Sequence, residues 1–454
     1  MPSVSTGYAP DLEKFLKSLK GQPLDASVDH LLALLKRRQI KGSEPCAIAT
    51  AHILLQVVAR SKWHNVETLI ANVCRVGRRL VEAQPNELAI GNIVRRVLGL
   101  IRDEANEDRN DVASETQSDS PAPVPVPPAP TPASPAPISR QDSGGELAAS
   151  SGVSTPRTRP VLGTSHSTVG LPKTLFHLLA AEPDTEGESV GGSPFRGSGT
   201  STPTTVKWNY SQIHALRSEV IDGIEEIKDE ISQVDDQIAA MADVQIHPGD
   251  HVLVHRPSST VERFVLRAAQ KRKFTVFLAI EAPRKPEADG EEGPHATFRK
   301  KLAASGITVI NIMNSGLTAY MSRVDKVILG AKAIVANGGV VAVAGSAAIA
   351  RAAKEHGNAV MVLAGVYKLS PENPFADDSL IEWGSSASFV NFADGAMVNN
   401  VDIRSALTEM VPAKFIDTYI TNLGTHSRDH LSSLIADHYK DEDTNFHLDD
   451  DIVQ

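Results

Sequence analysis

The 454-residue chain holds only two cysteines, Cys46 and Cys74. That excludes a disulfide-stapled secreted scaffold and favours a reducing compartment. Its longest apolar run, residues 340–350, is too short and too rich in small residues to span a bilayer. The start, MPSVSTGYAPDLEKF, lacks the charged-then-apolar layout of a signal peptide, so a cytoplasmic protein is expected. Positive charge is scarce: 45 Lys and Arg stand against 55 Asp and Glu, a net of −10. A free nucleic-acid binder neutralises phosphates and is normally basic, so that class is disfavoured. Metal-ligand spacings such as C-x-x-C and H-E-x-x-H are missing, as are the Walker-type loop, a G-x-G-x-x-G at a strand-to-helix turn and a G-x-S-x-G elbow. No metal or cofactor is expected.

What is present divides into three. Residues 1–107 carry helical spacing throughout, from Leu12, Phe15 and Leu19 to three amphipathic stretches at 48–58, 66–80 and 88–101. This part has 15 basic against 11 acidic residues, a net of +4 that leaves −14 for the rest. Residues 108–205 hold 15 of the 28 prolines and read as a disordered Pro/Ser-rich linker. Within it lies one apolar island, LPKTLFHLLAAEP (171–183). Ser120, Ser134, Thr155, Ser193 and Thr202 each precede a proline and are candidate phosphate acceptors. Residues 206–454 open with a long helix whose stripe of Ile213, Leu216, Val220, Ile224, Ile227, Ile231, Val234 and Ile238 steps by threes and fours. At under four heptads, it is expected to pack on its own domain.

From residue 251 the rhythm changes. HVLVH (251–255), FTVFLAI (274–280), ITVINIM (307–313), KVILGA (326–331) and AVMVLAGV (359–366) are short and rich in β-branched residues, with helical stretches between them. Such alternation predicts an α/β, doubly wound Rossmann-like parallel sheet with an acidic C-terminal tail. Ligands of these sheets bind beyond the carboxyl ends of the strands. Arg256, Ser258 and Ser259 follow the first strand, and Lys332, Asn337, Gly338 and Gly339 follow the fourth, which makes them a candidate anion pocket. His255, at a strand end, reads as structural.

The run NSGLTAYMSRVDKVILGAKAIVANGGVVAVAGSAAIARAAKEHG (314–357), followed by VYKLSP (366–371), resembles the regulatory subunits of translation initiation factor 2B, its beta subunits above all. ERFVLRAAQKRKFTVFLAIEAP (262–283), IGNIVRRVLGLIRDE (90–104) and VPAKFIDTYITNLG (411–424) extend the likeness over residues 10–107 and 206–445. The Pro-rich stretch does not match and looks like an insertion.

The resemblance implies a non-catalytic subunit of the guanine-nucleotide exchange factor for initiation factor 2. In that family beta pairs with delta, two such pairs join an alpha dimer in a decamer, and epsilon, assisted by gamma, supplies exchange. Residues 359–425 are expected to carry much of the pairing surface. Helical domains of the core meet the alpha subunit of initiation factor 2 and sense its phosphoserine. Carried over, this puts Asn92, Arg95 and Arg96 toward that substrate. The same family includes sugar-phosphate aldose–ketose isomerases, the rival reading. Their proposed cysteine and G-A-D aspartate fall near Arg256 and on Gly330-Ala331-Lys332, where a guanidinium and an ammonium cannot replace them.

Overall fold

The computed structural model describes residues 10–117, 210–280, 295–373, 379–386, 389–390, 395 and 401–446. The linker from 118 to 205, its apolar island and the last eight residues of the acidic tail lie outside the described residues. Described residues on either side of the linker pack as one compact unit.

Five helices open the chain: α1 (Pro10–Ser18), α2 (Leu24–Lys36), α3 (Ser43–Arg60), α4 (Val66–Ala83) and α5 (Leu88–Gln117). Helix α3 is buried on almost every side from Cys46 to Val58, as an all-round apolar helix must be. Helix α5 runs ten residues past 107, because no proline or glycine interrupts 108–117 and the first proline is Pro121.

Helix α6 (Tyr210–Ala240) buries the expected stripe, Leu216, Val220, Ile224, Ile227, Ile231, Val234 and Ile238. It packs on α3 and α5 from one side and on the first helix of the α/β layer from the other. Each such side chain contributes about 1.5–3 kcal/mol of transfer free energy, which explains why the stripe is covered rather than free. Gly223 lets α6 approach α5 closely, since a Cβ there would stand 2.7 Å from a Leu100 methyl.

A short α7 (Ala242–Gln245) leads into β1 (His251–His255), α8 (Ser259–Ala269), β2 (Thr275–Ile280), α9 (Ala296–Ala304) and β3 (Thr308–Met313). The chain then forms α10 (Leu317–Met321), β4 (Lys326–Ile334), β5 (Val340–Val343), α11 (Ser346–Glu355) and β6 (Ala359–Leu363). It closes with β7 (Trp383–Gly384), β8 (Ser405–Ala406), β9 (Thr408–Val411), β10 (Thr418–Thr421), β11 (Gly424–His426), α12 (Arg428–His438) and α13 (Asp441–Thr444). Strands β3, β2, β1, β4, β6 and β10 lie side by side in that order, all parallel. This is the doubly wound arrangement, with the winding reversing between β1 and β4. Antiparallel β11 closes one edge, while the second half of β4 leaves the sheet to pair with β5, which pairs with β9.

Alternation sorts the strand residues between two faces. Val252, Val254, Val276, Leu278 and Ile328 face α6, α8 and the helical layer. Leu253, Phe277, Val327, Leu329 and Val362 face α10, α11 and α12.

Candidate functional site

A cavity of about 320 Å³ lies at the reversal point between β1 and β4, beyond their carboxyl ends. Strand β1 ends at His255, whose buried ring donates from Nε2 to the Ala344 carbonyl at 3.0 Å and ties β1 to the turn before α11. Arg256 follows with φ 39°, a left-handed backbone directly before Pro257. The proline ring disfavours helical backbone in the residue before it, so this turn stores strain of about 1–3 kcal/mol. Ser258 then caps α8, its hydroxyl accepting from the Val261 amide at 3.4 Å. Gly330 of β4 passes so close that a Cβ would stand 2.8 Å from that hydroxyl oxygen.

Of the seven residues proposed for an anion pocket, Arg256, Ser258, Ser259 and Lys332 line this cavity together. Asn337, Gly338 and Gly339 do not. They form the tip of the β4–β5 hairpin, where the Asn337 side chain accepts from the Gly339 amide at 2.7 Å and the Gly338 carbonyl accepts from the Tyr419 hydroxyl at 2.6 Å. The strand runs past the sheet before it turns, which carries these three away from the cavity.

Lys332 is held by carboxylates of its own chain. Its Nζ lies 2.9 Å from Glu382 Oε2 and 3.7 Å from Glu87 Oε2. Glu382 also pairs with Arg38. Burial opposes its ionisation, but Lys332 and Arg38 outweigh it and hold the carboxyl below the usual range. Burial pushes Glu87 the other way, upward, with Lys332 opposing. The Lys332 carbonyl meanwhile accepts from Ser43 at 3.0 Å, so α3 starts directly on β4.

Deeper in, Lys368 donates to the Ala331 carbonyl at 3.2 Å. Burial lowers its pKa, with Asp235, Glu87 and Glu44 working against that. Burial and the nearby Asp235 raise that of Glu44. Cys46, one turn into α3, turns its sulfur into the core, 3.9 Å from the Ile40 carbonyl and from Gln84. Burial and Glu87 push its thiol up, so it is held as a thiol rather than a thiolate.

Sequence reasoning missed Glu44, Glu87, Lys368 and Glu382 as partners in this cluster. They come from four distant stretches, and only VYKLSP had been singled out, as a motif and not for its lysine.

The second expected set sits on α5. Asn92 is fully buried and donates to the Tyr367 carbonyl at 3.0 Å. Arg95, 1% exposed, donates to the Thr444 carbonyl at 3.1 Å, to Asn92 at 3.3 Å and to Glu372 at 2.7 Å, with Phe446 against its guanidinium. Both tie α5 to the α/β layer within the chain. Arg96 pairs with Glu230 at 2.6 Å and borders a cleft of about 550 Å³ between α5, α6 and the end of α12. Among the described residues no cluster of His, Cys, Asp and Glu is arranged to hold a metal, and no helix is long and apolar enough to cross a membrane.

With strand order and reversal-point geometry in place, comparison with known proteins assigns the lineage. The model of the initiation factor 2 subunit family matches residues 39–427. The chain belongs to that family. It is 32% identical to translation initiation factor eIF2B subunit beta of Schizosaccharomyces pombe over 430 residues, 92% of this chain and 97% of the relative. Crystal structures of Chaetomium thermophilum eIF2B beta, alone and in a tetrameric eIF2B-beta2-delta2 complex, match at 37% identity and a TM-score of 0.61. They cover 96% and 95% of this chain, and 97% and 100% of theirs. A ribose 1,5-bisphosphate isomerase of Pyrococcus furiosus is 28% identical over 215 residues, 47% of this chain and 64% of the enzyme.

Proposed function

We propose that this family member works as the beta-type regulatory subunit of an eIF2B complex, the guanine-nucleotide exchange factor for initiation factor 2. The observation that carries the reading is the end-to-end match to a chain crystallised in a beta2-delta2 complex. The isomerase likeness spans under half of this chain.

The geometry supports a role without catalysis. The resemblance puts the isomerases' cysteine near Arg256 and their aspartate at Lys332. Lys332 is neutralised by two carboxylates, and the nearby Cys46 is buried with its thiol protonated.

Pairing with delta is supported by surface apolar groups. Trp383, Phe389, Val401, Leu407 and Leu423, each 39–58% exposed, cluster in sequence within the segment expected to pair. Contiguous exposed apolar surface marks protein contacts, and aromatic side chains such as Trp383 and Phe389 are enriched there. Gamma, epsilon and alpha subunits complete the proposed assembly in the cytoplasm. Contact with the alpha subunit of initiation factor 2, phosphorylated or not, is proposed at the α5 surface around Arg96, with Asn92 and Arg95 shaping it from inside.

Co-expression of the chain with a delta subunit, followed by sizing and a GDP-release assay with the remaining subunits, tests this. A heterotetramer that raises exchange is expected, with Arg96→Ala slowing release while the subunits stay assembled. A chain that elutes alone and turns over ribose 1,5-bisphosphate would overturn it.

A further inference from the structure

Away from the reversal point, the loop joining α3 to α4 and the first two turns of α6 enclose a cleft of about 250 Å³. Arg60, Lys62 and Arg217 line it together with His64 and His214, and no acidic residue does. Among the described residues none of the three permanent cations has a carboxylate partner. Such an excess contrasts with Lys332 and Arg95, each matched by a carboxylate.

Two of the three cations are also held in place. The Arg217 guanidinium stacks over the Trp63 ring at 4.9 Å, and the indole, itself buried, donates to the Val58 carbonyl at 3.3 Å. Arg60 is pinned by the Gln22 carbonyl at 2.9 Å. Two donors at this site, Arg217 Nε and the Ser61 hydroxyl, are shut off from solvent and have no hydrogen-bond partner among the described residues. Burying an unmatched donor is unfavourable, so an acceptor that reaches either of them relieves that cost, and three cations without an acidic neighbour select an anion.

We propose that this cleft binds a phosphomonoester carried on a serine or threonine side chain. A phosphate dianion offers three acceptor oxygens and nearly two negative charges, which suits a guanidinium fork, a hydroxyl and two further cations better than a carboxylate does. One source is the chain itself. Tyr210 borders the cleft, and the Thr202-Pro203 pair lies eight residues before it. Eight residues reach at most ~29 Å, and a tether that short keeps a phosphate at roughly millimolar effective concentration. The alternative source of the same group is a phosphorylated segment of another protein.

The test uses the dephosphorylated full-length chain, titrated with a peptide of residues 196–209 bearing phosphate on Thr202, with the same peptide unphosphorylated, and with an unrelated phosphothreonine peptide. The Thr202 phosphopeptide is expected to bind at least tenfold tighter than its unmodified form. Arg217→Lys, which keeps the charge but loses fork and stack, should weaken it at least fivefold, and Lys62→Gln about threefold. Lys62 is exposed, so its variant carries the test if Arg217→Lys perturbs folding. Equal binding of the two forms of the Thr202 peptide, or selectivity that survives both substitutions, overturns the proposal. Chain phosphorylated at Thr202 separates the sources. Loss of peptide binding there identifies the chain's own segment as occupant, and unchanged binding with equal affinity for the unrelated phosphopeptide identifies a site for a partner's phosphate.

Discussion

Replacing Arg95 by methionine decides whether this residue braces the chain or reaches a partner. Its side chain is 1% exposed and Glu372 across from it 32% exposed, so the pair is closed on one side and wet on the other. Removing the guanidinium deletes a charge-assisted bond worth about 1.5–3 kcal/mol and leaves the Thr444 carbonyl without that donor, a further ~1 kcal/mol. Losing the stack on Phe446 adds up to about 1 kcal/mol. Methionine fills part of the space, so the net loss is about 3 kcal/mol, the low end for breaking a buried pair. At roughly 2 °C per kcal/mol for a unit of this size, the melting midpoint falls by ~6 °C. Thermal and urea unfolding of the full-length chain by circular dichroism measures it, with Glu372→Gln completing a double-mutant cycle. A coupling of about 1.5–3 kcal/mol is expected. A loss below ~1 kcal/mol with no coupling, combined with slowed GDP release by the assembled complex, would refute the bracing role and turn Arg95 outward.

At the reversal point, Lys332→Met leaves Glu87 and Glu382 unbalanced and costs about 2–4 kcal/mol at pH 7. Glu87 already holds its proton more tightly than in the unfolded chain, and loss of Lys332 strengthens that hold. The deficit measured by urea unfolding should therefore shrink as pH falls from 7 toward 5, and a deficit constant with pH would contradict it. In the native chain Glu382 behaves oppositely. Its depressed pKa contributes stability above the unfolded carboxyl value of about 4.3 that is lost on further acidification. Gly330→Ala should cost about 1–3 kcal/mol by driving a methyl into the Ser258 hydroxyl, while Ser258→Ala alone costs about 1 kcal/mol as a lost cap. The double variant should lose less than the sum, and strict additivity in thermal unfolding would place the clash elsewhere. Cys46 should resist thiol reagents in the native chain at neutral pH and react fully in urea, and rapid native labelling would show the sulfur reaches solvent.

Much of the fold was legible because periodicity reports burial. The α6 stripe and the five β-rich runs from 251 to 366 appear as α6, β1, β2, β3, β4 and β6, since each buries a face whose spacing its backbone imposes. Strands β5, β7, β8, β9, β10 and β11 were not read. Val340–Val343 sits in a run of small residues that alternates with nothing, and β9 to β11 are three or four residues each. The site was half legible. Ser258 and Lys332 follow from strand-end logic, which is local. Asn92 and Arg95 look from sequence like polar positions on a helix face, and only the partners at Tyr367, Glu372 and Thr444, some 275 to 350 residues away, turn them inward. Likewise nothing near Glu87 announces that it is buried; it directly precedes α5, and its carboxylate meets Lys332 of β4.

What covers the reversal point explains why it braces structure. In an open doubly wound sheet this crevice faces solvent and admits a ligand. Here the first turn of α3 lies over it, with Ser43 donating to the Lys332 carbonyl, and Glu87 at the start of α5 comes down on the Lys332 ammonium. Glu382, from the segment before β7, closes the third side and takes Arg38 as well. One lysine where β4 leaves the parallel sheet thereby fixes α3, α5 and the β7 segment relative to β4. Charges at such a junction are desolvated enough that removing one partner is unfavourable for the others, which makes the four groups stand or fall together. Any force that rotates the helical layer against the sheet must first separate Lys332 from Glu87 and Glu382. Lys332→Met should therefore loosen that layer. Amides of α3 and α5 should exchange hydrogen faster than those of β1 and β2 in the variant, and equal acceleration in both sets would mean that the junction couples nothing beyond itself.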